Sequence, residues 1–198
     1  MTGIVCTNLQ VEILLKYPHY ETFDFDSSLW KNKNSYQVEN GKTGMDDLET
    51  KLPTYWSTKI NKICVGMRFD GETNFISFDL QAKSLYDIIA GGKYHKTNVS
   101  RNKWMSLIKD SVLQPNCNKE GFSVVDELNS HPRVRIGIIG NNGNNCRTSD
   151  SFIGFGSTYP YCRQNAEINS CGKSAYCHNK NKAKQFKSMG YIFVFKLK

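Results

Sequence analysis

The chain has no apolar run long enough to form a membrane-spanning helix. Such a helix needs roughly 18 consecutive apolar residues, whereas the longest apolar runs here, 136–139 and 191–195, have the length of a β-strand. The sequence therefore predicts no membrane insertion, and without a long repeat it also excludes a collagen and a coiled coil. Intrinsic disorder is excluded as well, because 11 Phe, 10 Tyr and 3 Trp supply enough apolar surface for a core.

A secretory signal peptide is missing from the start of the sequence. The first residues lack a basic start, a sustained apolar segment and a small-residue cleavage site. Since the cysteines described below indicate secretion, we expect a truncated N-terminus whose upstream region is not in this sequence. On that interpretation, residues 1–26 are a poorly defined N-terminal extension and residues 27–198 form one domain.

Acidic residues are scarce in the second half of the chain. Residues 1–90 carry 9 Lys and Arg against 12 Asp and Glu, a net charge of −3. Residues 91–198 carry 17 against 6, a net charge of +11, and no acid follows Cys171. This basic C-terminal surface favours acidic partners such as acidic polysaccharide, although a lysine-rich face without any partner is also common. No aromatic residue alternates with the lysines at 180–184, so we do not predict nucleic-acid binding.

Seven cysteines are the sharpest compositional signal. Four of them lie close together and three are far apart: Cys146, Cys162, Cys171 and Cys177, and then Cys6, Cys64 and Cys117. Scattered cysteines predict disulfides and an extracellular, secreted protein, and Asn98 begins a glycosylation acceptor motif with Val99 and Ser100. The odd count leaves one cysteine over, for which we expect Cys6, with its partner upstream. A cytosolic protein with free thiols is the alternative.

Local patterns predict short helices and antiparallel strands. Asp70-Gly71 between the β-prone runs 63–69 and 73–79 predicts a hairpin, because the turn needs positive φ angles. We also expect a helix at 85–90 that is capped by Ser84, and an amphipathic helix at 100–110. A further short helix is predicted at 46–52, and strands at 122–125, 133–139 and 191–195. In the strand at 133–139 the alternation predicts one buried face.

The segment 140–189 contains no long periodic element, so we expect a long loop region that disulfides hold in place. It begins with the polar stretch 140–150, which is rich in asparagine and contains Asp150. Amide and carboxylate oxygens suit Ca²⁺ or sugar hydroxyls. A tight turn without a ligand explains the same residues, because Asn and Gly tolerate left-handed conformations.

No catalytic or zinc site is visible. The four histidines stand in no recognisable catalytic setting, and no Ser lies between the glycines at 154–156 as a nucleophile elbow requires. Cys162, Cys171, Cys177 and His178 lack the close-spaced pairs of a structural zinc site. The sequence therefore predicts a protein that is not an enzyme.

Several segments together resemble those of a known group of proteins. The segments are Cys64-Val65-Gly66-Met67, Ser84-Leu85-Tyr86, Asn116-Cys117-Asn118, Arg135-Ile136-Gly137-Ile138, Asp150-Ser151-Phe152-Ile153-Gly154-Phe155-Gly156, Cys171-Gly172 and Met189-Gly190-Tyr191-Ile192. Over about residues 27–198 the chain resembles secreted invertebrate proteins of the skeletal-organic-matrix-like group. These look like relatives of the fibrinogen-related and intelectin domains.

The resemblance implies a calcium ion, a disulfide pattern and a fibrinogen C-terminal-like fold. In intelectins a polar loop helps to hold a calcium ion that binds sugar diols. Asn141 falls on a family Asn, whereas Asn145 falls on a His ligand and Lys173 on an acidic ligand. An ammonium cannot ligate calcium, so the family's site is expected to be altered or absent, with Asn141, Asn145 and Asp150 as the ligands if calcium binds. The implied disulfides are Cys64–Cys117, Cys146–Cys171 and Cys162–Cys177.

We therefore expect an α+β fold with one twisted, mostly antiparallel sheet, two short helices and a disulfide-pinned C-terminal loop region. The leading hypothesis is an extracellular, non-enzymatic domain that binds glycan or matrix components through the loops at 141–165. The residues expected to contact the ligand are Asn141, Asn144, Asn145, Asp150, Tyr159 and Tyr161. Two alternatives stay open: a structural matrix or adhesion module that binds acidic partners through the basic C-terminal surface, and a small secreted enzyme or toxin.

Overall fold

The computed structural model describes residues 11–17, 21–128, 132–158, 171–175 and 184–195. These residues form an α+β fold of two antiparallel sheets and a few short helices. The strands are β1 Val11–Tyr17, β2 Thr50–Lys51, β3 Ile60–Phe69, β4 Glu72–Ala82, β5 His95–Lys96, β6 Asn116–Val124, β7 Arg133–Asn141, β8 Ser151–Thr158, β9 Cys171–Ala175, β10 Lys184–Lys187 and β11 Met189–Phe195. The α-helices are α1 Thr54–Ser57, α2 Leu85–Ile89 and α3 Arg101–Met105, and 3₁₀ turns lie at Glu21–Phe23, Ser28–Trp30 and Val38–Lys42.

The first sheet has five strands in the order β2-β1-β11-β3-β4. The predicted hairpin is confirmed: β3 and β4 pair around Asp70 and Gly71, whose φ angles are 50° and 76°. Strand β1 pairs with β11 and β2, and Phe23 and Phe25 are buried in the interior. The described residues within 1–26 therefore contribute a strand and core side chains to the fold.

The second sheet has six strands in the order β10-β9-β8-β7-β6-β5. Three of them, β8, β9 and β10, lie in the segment 140–189, so the prediction of a single sheet followed by a long loop region was wrong. The glycines of β8 conceal its strand pattern. Gly154 lies opposite Gly137 in β7, and a Cβ at Gly154 would come within 2.8 Å of the Ile136 carbonyl oxygen. Close packing of the two strands therefore requires glycine where a strand pattern would show a larger residue.

The main core lies between the sheets and under the helices. It draws buried side chains from both sheets and from α2 and α3, among them Val65, Ile76, Leu85, Trp104, Phe122, Ile136, Ile153 and Ile192. The expectation that only one face of β7 is buried was wrong, because Arg135 is also buried. Its Nε donates to the Phe25 carbonyl oxygen at 2.8 Å, and its guanidinium lies 4.1 Å from the Phe25 ring centroid. The chain at 21–30 therefore covers the face of β7 that was expected to be exposed.

Two of the three helix predictions need correction. Helix α2 is confirmed, since the Ser84 hydroxyl accepts a hydrogen bond from the Asp87 amide and the helix runs over Leu85–Ile89. Helix α3 ends at Met105 rather than at 110, because the chain continues in turns such as the one closed by the Ile108 amide on the Met105 carbonyl. No helix forms at 46–52, where Asp46 binds Lys16 and the chain then extends into β2.

Candidate functional site

A disulfide joins Cys117 to Cys146, with the two Cα atoms 4.9 Å apart. Cys117 lies in an irregularity of β6, where Cys117 and Asn118 both have positive φ angles of 66° and 50°. Cys146 lies in the polar loop between β7 and β8. The bond therefore attaches this loop, residues 142–150, to the end of the neighbouring strand.

The cysteine pairing implied by the resemblance was wrong at both bonds that can be compared. Cys117 bonds Cys146, which excludes Cys64–Cys117 and Cys146–Cys171. Cys64 is disulfide-bonded, but it lies in β3 of the other sheet. Cys171 is a free, fully buried thiol in contact with the Ser188 hydroxyl at 3.4 Å, and burial raises its pKa to about 12. Cys6, Cys162 and Cys177 lie outside the described residues.

Two of the predicted contact residues, Asn141 and Asn145, hold the polar loop together from within. The Asn141 side-chain amide donates to the Asn145 carbonyl at 2.9 Å, and its Oδ1 accepts from the Asn142 amide at 2.8 Å. The Asn145 Oδ1 accepts from the Arg147 amide at 2.9 Å and lies 3.4 Å from the Asn141 Nδ2. Asn141 is also buried. These bonds favour the turn interpretation for this pair, because their side-chain oxygens already accept hydrogen bonds.

Asp150 lies at the base of the loop, beside β8. Its amide donates to the Gly140 carbonyl at 3.1 Å, and its Oδ2 lies 3.4 Å from the Gln114 Nε2. The structure thus brings Asn141 and Asn145 together and places Asp150 against Gln114. Lys173, the lysine expected to disturb a calcium site, is buried in β9 with its ammonium 4.5 Å from the Phe186 ring centroid.

Five side chains of the loop are exposed, and Asn145 is the only one of them that also takes part in the internal bonds described above. Asn142, Asn144, Asn145, Arg147 and Thr148 are exposed. The loop is anchored on two further sides, because the Asn116 side-chain amide donates to the Asn142 carbonyl at 2.7 Å and the Glu127 amide donates to the Cys146 carbonyl at 3.0 Å. The result is a small platform of amide, hydroxyl and guanidinium groups. Tyr159 and Tyr161 lie outside the described residues.

The predicted glycosylation residue, Asn98, is exposed on the connection between β5 and α3. The carboxylate of Glu120 holds the residues that follow it, accepting from the Val99 amide at 3.0 Å and the Ser100 amide at 3.2 Å. The Trp104 Nε1 donates to the same carboxylate at 2.6 Å. Asn98 is therefore presented on a fixed backbone.

Sequence reasoning missed a groove of about 570 Å³ beside Asn98. Lys62, Lys96 and Lys103 line it, and they come from β3, β5 and α3. No local sequence signal could have revealed it, since these lysines are separated by 34 and 7 positions and meet only where the two sheets approach.

Within the described residues, no three His, Cys, Asp or Glu side chains cluster as a metal site, and no helix has the length and apolarity to cross a bilayer. No protein-family model, curated protein or solved structure matches the chain. The resemblance to fibrinogen-related and intelectin domains therefore stays a prediction.

Proposed function

We propose that the chain is an extracellular, non-enzymatic recognition domain that binds glycans or matrix components through the polar loop. The proposal includes the fibrinogen-related and intelectin-like character implied by the sequence. The observation that carries it is the Cys117–Cys146 bond, which fixes an asparagine-rich loop to the sheet. Disulfides of this kind are typical of secreted proteins.

The exposed groups of the loop suit a neutral, hydroxyl-rich ligand. The side chains of Asn142 and Asn144 each offer a carbonyl acceptor and an NH₂ donor, and Thr148 adds a hydroxyl. Sugar hydroxyls both donate and accept, so they can bond to such groups in pairs. A loop that is already ordered loses less entropy when it binds. The buried Asn141 supports the platform from below and Asn145 holds its turn, while Asn144 is the group expected to touch the ligand.

A glycan array, probed with and without a chelator, tests this proposal. We expect binding to at least one class of neutral glycan, with Asn144→Ala weakening it by about tenfold while the melting temperature stays unchanged. Asn34→Ala is the matched control, because Asn34 is an exposed asparagine outside the loop. Loss of signal with the chelator would add calcium as a cofactor held by the loop oxygens. No glycan signal in either condition, or equal effects of the two substitutions, would remove the proposal.

We expect both Asn144→Ala and Asn34→Ala to keep the fold of the loop, because neither substitution removes one of the hydrogen bonds inside it. Asn145→Ala is a less direct variant, since it also removes the acceptor of the Arg147 amide. We expect Asn145→Ala to weaken binding without unfolding the domain. An affinity equal to that of the unmodified protein would identify the loop as a plain turn.

A further inference from the structure

A cationic groove lies where the edge of one sheet meets the edge of the other. One side is β4, the edge strand of the first sheet, and the opposite side is the chain from β5 to α3. Its volume is about 570 Å³, which is within the range of small-ligand sites. The groove is separate from the polar loop, with which it shares no residue.

The floor of the groove is apolar and fixed in place. Phe78 lines it, and the ring of Phe78 packs 6.0 Å from that of Trp104 and 6.2 Å from that of Phe122, measured between centroids. Both partners are fully buried core residues. Phe78 therefore presents a partly exposed aromatic surface whose position the core determines.

Three ammonium groups surround this floor. Lys103 Nζ donates to the Ser77 carbonyl at 2.7 Å, and Lys62 Nζ lies 3.5 Å from Asp79 Oδ1. Lys96 is exposed on the opposite side. With one carboxylate against three ammonium groups, the lining carries a net charge of +2. Thr97 adds a hydroxyl to the same wall.

We propose that this groove binds a segment of acidic polysaccharide, one that carries sulfate or carboxylate groups on its sugar rings. The ammonium groups meet the anionic substituents, and Phe78 supports the apolar face of a ring. The Asp79 carboxylate accepts hydrogen bonds from ring hydroxyls, and the Thr97 hydroxyl both donates to them and accepts from them. A single-stranded nucleic acid is a poorer fit, because its bases stack on successive aromatic side chains and the groove offers one. The site does not depend on the glycan binding proposed for the polar loop.

Heparin binding, measured by titration calorimetry at several salt concentrations, tests the groove. The protein is produced in bacteria, so that Asn98 carries no glycan. The variant is Lys62→Gln/Lys96→Gln/Lys103→Gln, and the control is Lys31→Gln/Lys33→Gln/Lys42→Gln, which removes the same charge from exposed positions that do not line the groove. We expect the groove variant to bind about tenfold more weakly at physiological salt. A plot of the logarithm of the association constant against the logarithm of the salt concentration should become less steep. The magnitude of its slope should decrease by about three, which is about one for each lost contact.

The control should change the affinity by less than about threefold, and the loop variant Asn144→Ala should leave heparin binding unchanged. Equal losses in the groove variant and the control would overturn the proposal, because the binding would then follow net charge alone. Competition by single-stranded DNA as effective as that by heparin would overturn it too.

If the triple variant does not fold, Lys96→Gln alone tests the groove. Its exposed side chain can be changed without disturbing the core. We expect this variant to bind heparin about threefold more weakly. Unchanged binding by Lys96→Gln would count against the proposal.

Discussion

The ammonium of Lys16 in β1 lies 2.5 Å from the Asp46 carboxylate and is completely buried. It also donates to the Thr43 hydroxyl at 3.2 Å and to the Gly44 carbonyl at 2.9 Å. The Tyr191 hydroxyl, from β11, donates to the Asp46 carbonyl at 3.1 Å. These bonds fasten the loop at 43–48 to two adjacent strands of the first sheet, so its position depends on a buried charge.

Asp46→Asn should lower the free energy of unfolding by about 2–3 kcal/mol, because it leaves the buried Lys16 ammonium without a counter-charge. The neighbouring Asp47→Asn is the control. Asp47 pairs with Arg68 at the surface, and its side chain is 76% exposed, so its loss should cost less than about 1 kcal/mol. Urea unfolding at pH 7 measures both variants. Equal stability of the two would show that burial of Lys16 has no energetic consequence.

The same pair predicts a loss of stability in acid. Burial alone would raise the pKa of Asp46, but hydrogen bonds from Lys16, Thr43 and the Leu48 amide lower it from its ordinary value of 3.8 to about 2. The folded state therefore favours the carboxylate, and this contribution is present above about pH 4 and disappears as the pH falls toward 2. We expect about 1–2 kcal/mol of acid-dependent stability that Asp46→Asn lacks. The free energy of unfolding of both proteins is measured in urea at several values from pH 5 to pH 2. An equal decrease in the two proteins over this range would refute the prediction.

Removal of the Cys117–Cys146 bond should destabilise the domain through its unfolded state. The two residues are 29 positions apart, and closing a loop of that size stabilises a protein by about 3–4 kcal/mol in the chain-entropy description. Cys117→Ser/Cys146→Ser should therefore lower the free energy of unfolding by about that amount, measured in urea.

Thiol labelling supplies the control for the disulfide variant. In the unmodified protein, Cys171 should react with an alkylating reagent only after unfolding, because the thiol is fully buried. In the double variant its protection in the native state should persist, which separates loss of a cross-link from loss of the fold. Labelling of Cys117 or Cys146 in the unreduced, denatured protein would contradict the bond itself.

The hairpin and the capped helix could be predicted because their signals are local. Asp70-Gly71 supplies two positive φ angles at adjacent positions, and the Ser84 hydroxyl reaches an amide three residues away. Each signal is complete within a short stretch of chain. Neither the hairpin nor the helix cap depends on a contact with a distant part of the fold.

The burial of Arg135 and the cysteine pairing escaped prediction because both depend on contacts between remote residues. Arg135 is buried because Phe25, 110 positions away, covers it. Cys117 reaches Cys146 because an irregularity in β6 brings it to the end of β7. Burial and cysteine pairing are set by the assembled sheets, and an alternating pattern along one strand carries no information about them.

The close approach of β7 and β8 predicts that Gly137 tolerates no side chain. Its φ angle is 157°, and a Cβ would lie 2.3 Å from the Ile153 carbonyl oxygen, which is a backbone atom that cannot move aside. Gly137→Ala should lower the free energy of unfolding by about 3 kcal/mol or more. Gly143→Ala in the polar loop is the matched control, because its Cβ would meet nothing closer than the Asn145 Nδ2 at 3.6 Å. That variant should stay within about 0.5 kcal/mol of the unmodified protein or gain slightly. The free energy of unfolding of both variants is measured in urea. A Gly137→Ala protein as stable as Gly143→Ala would contradict the close approach of β7 and β8 at Gly137.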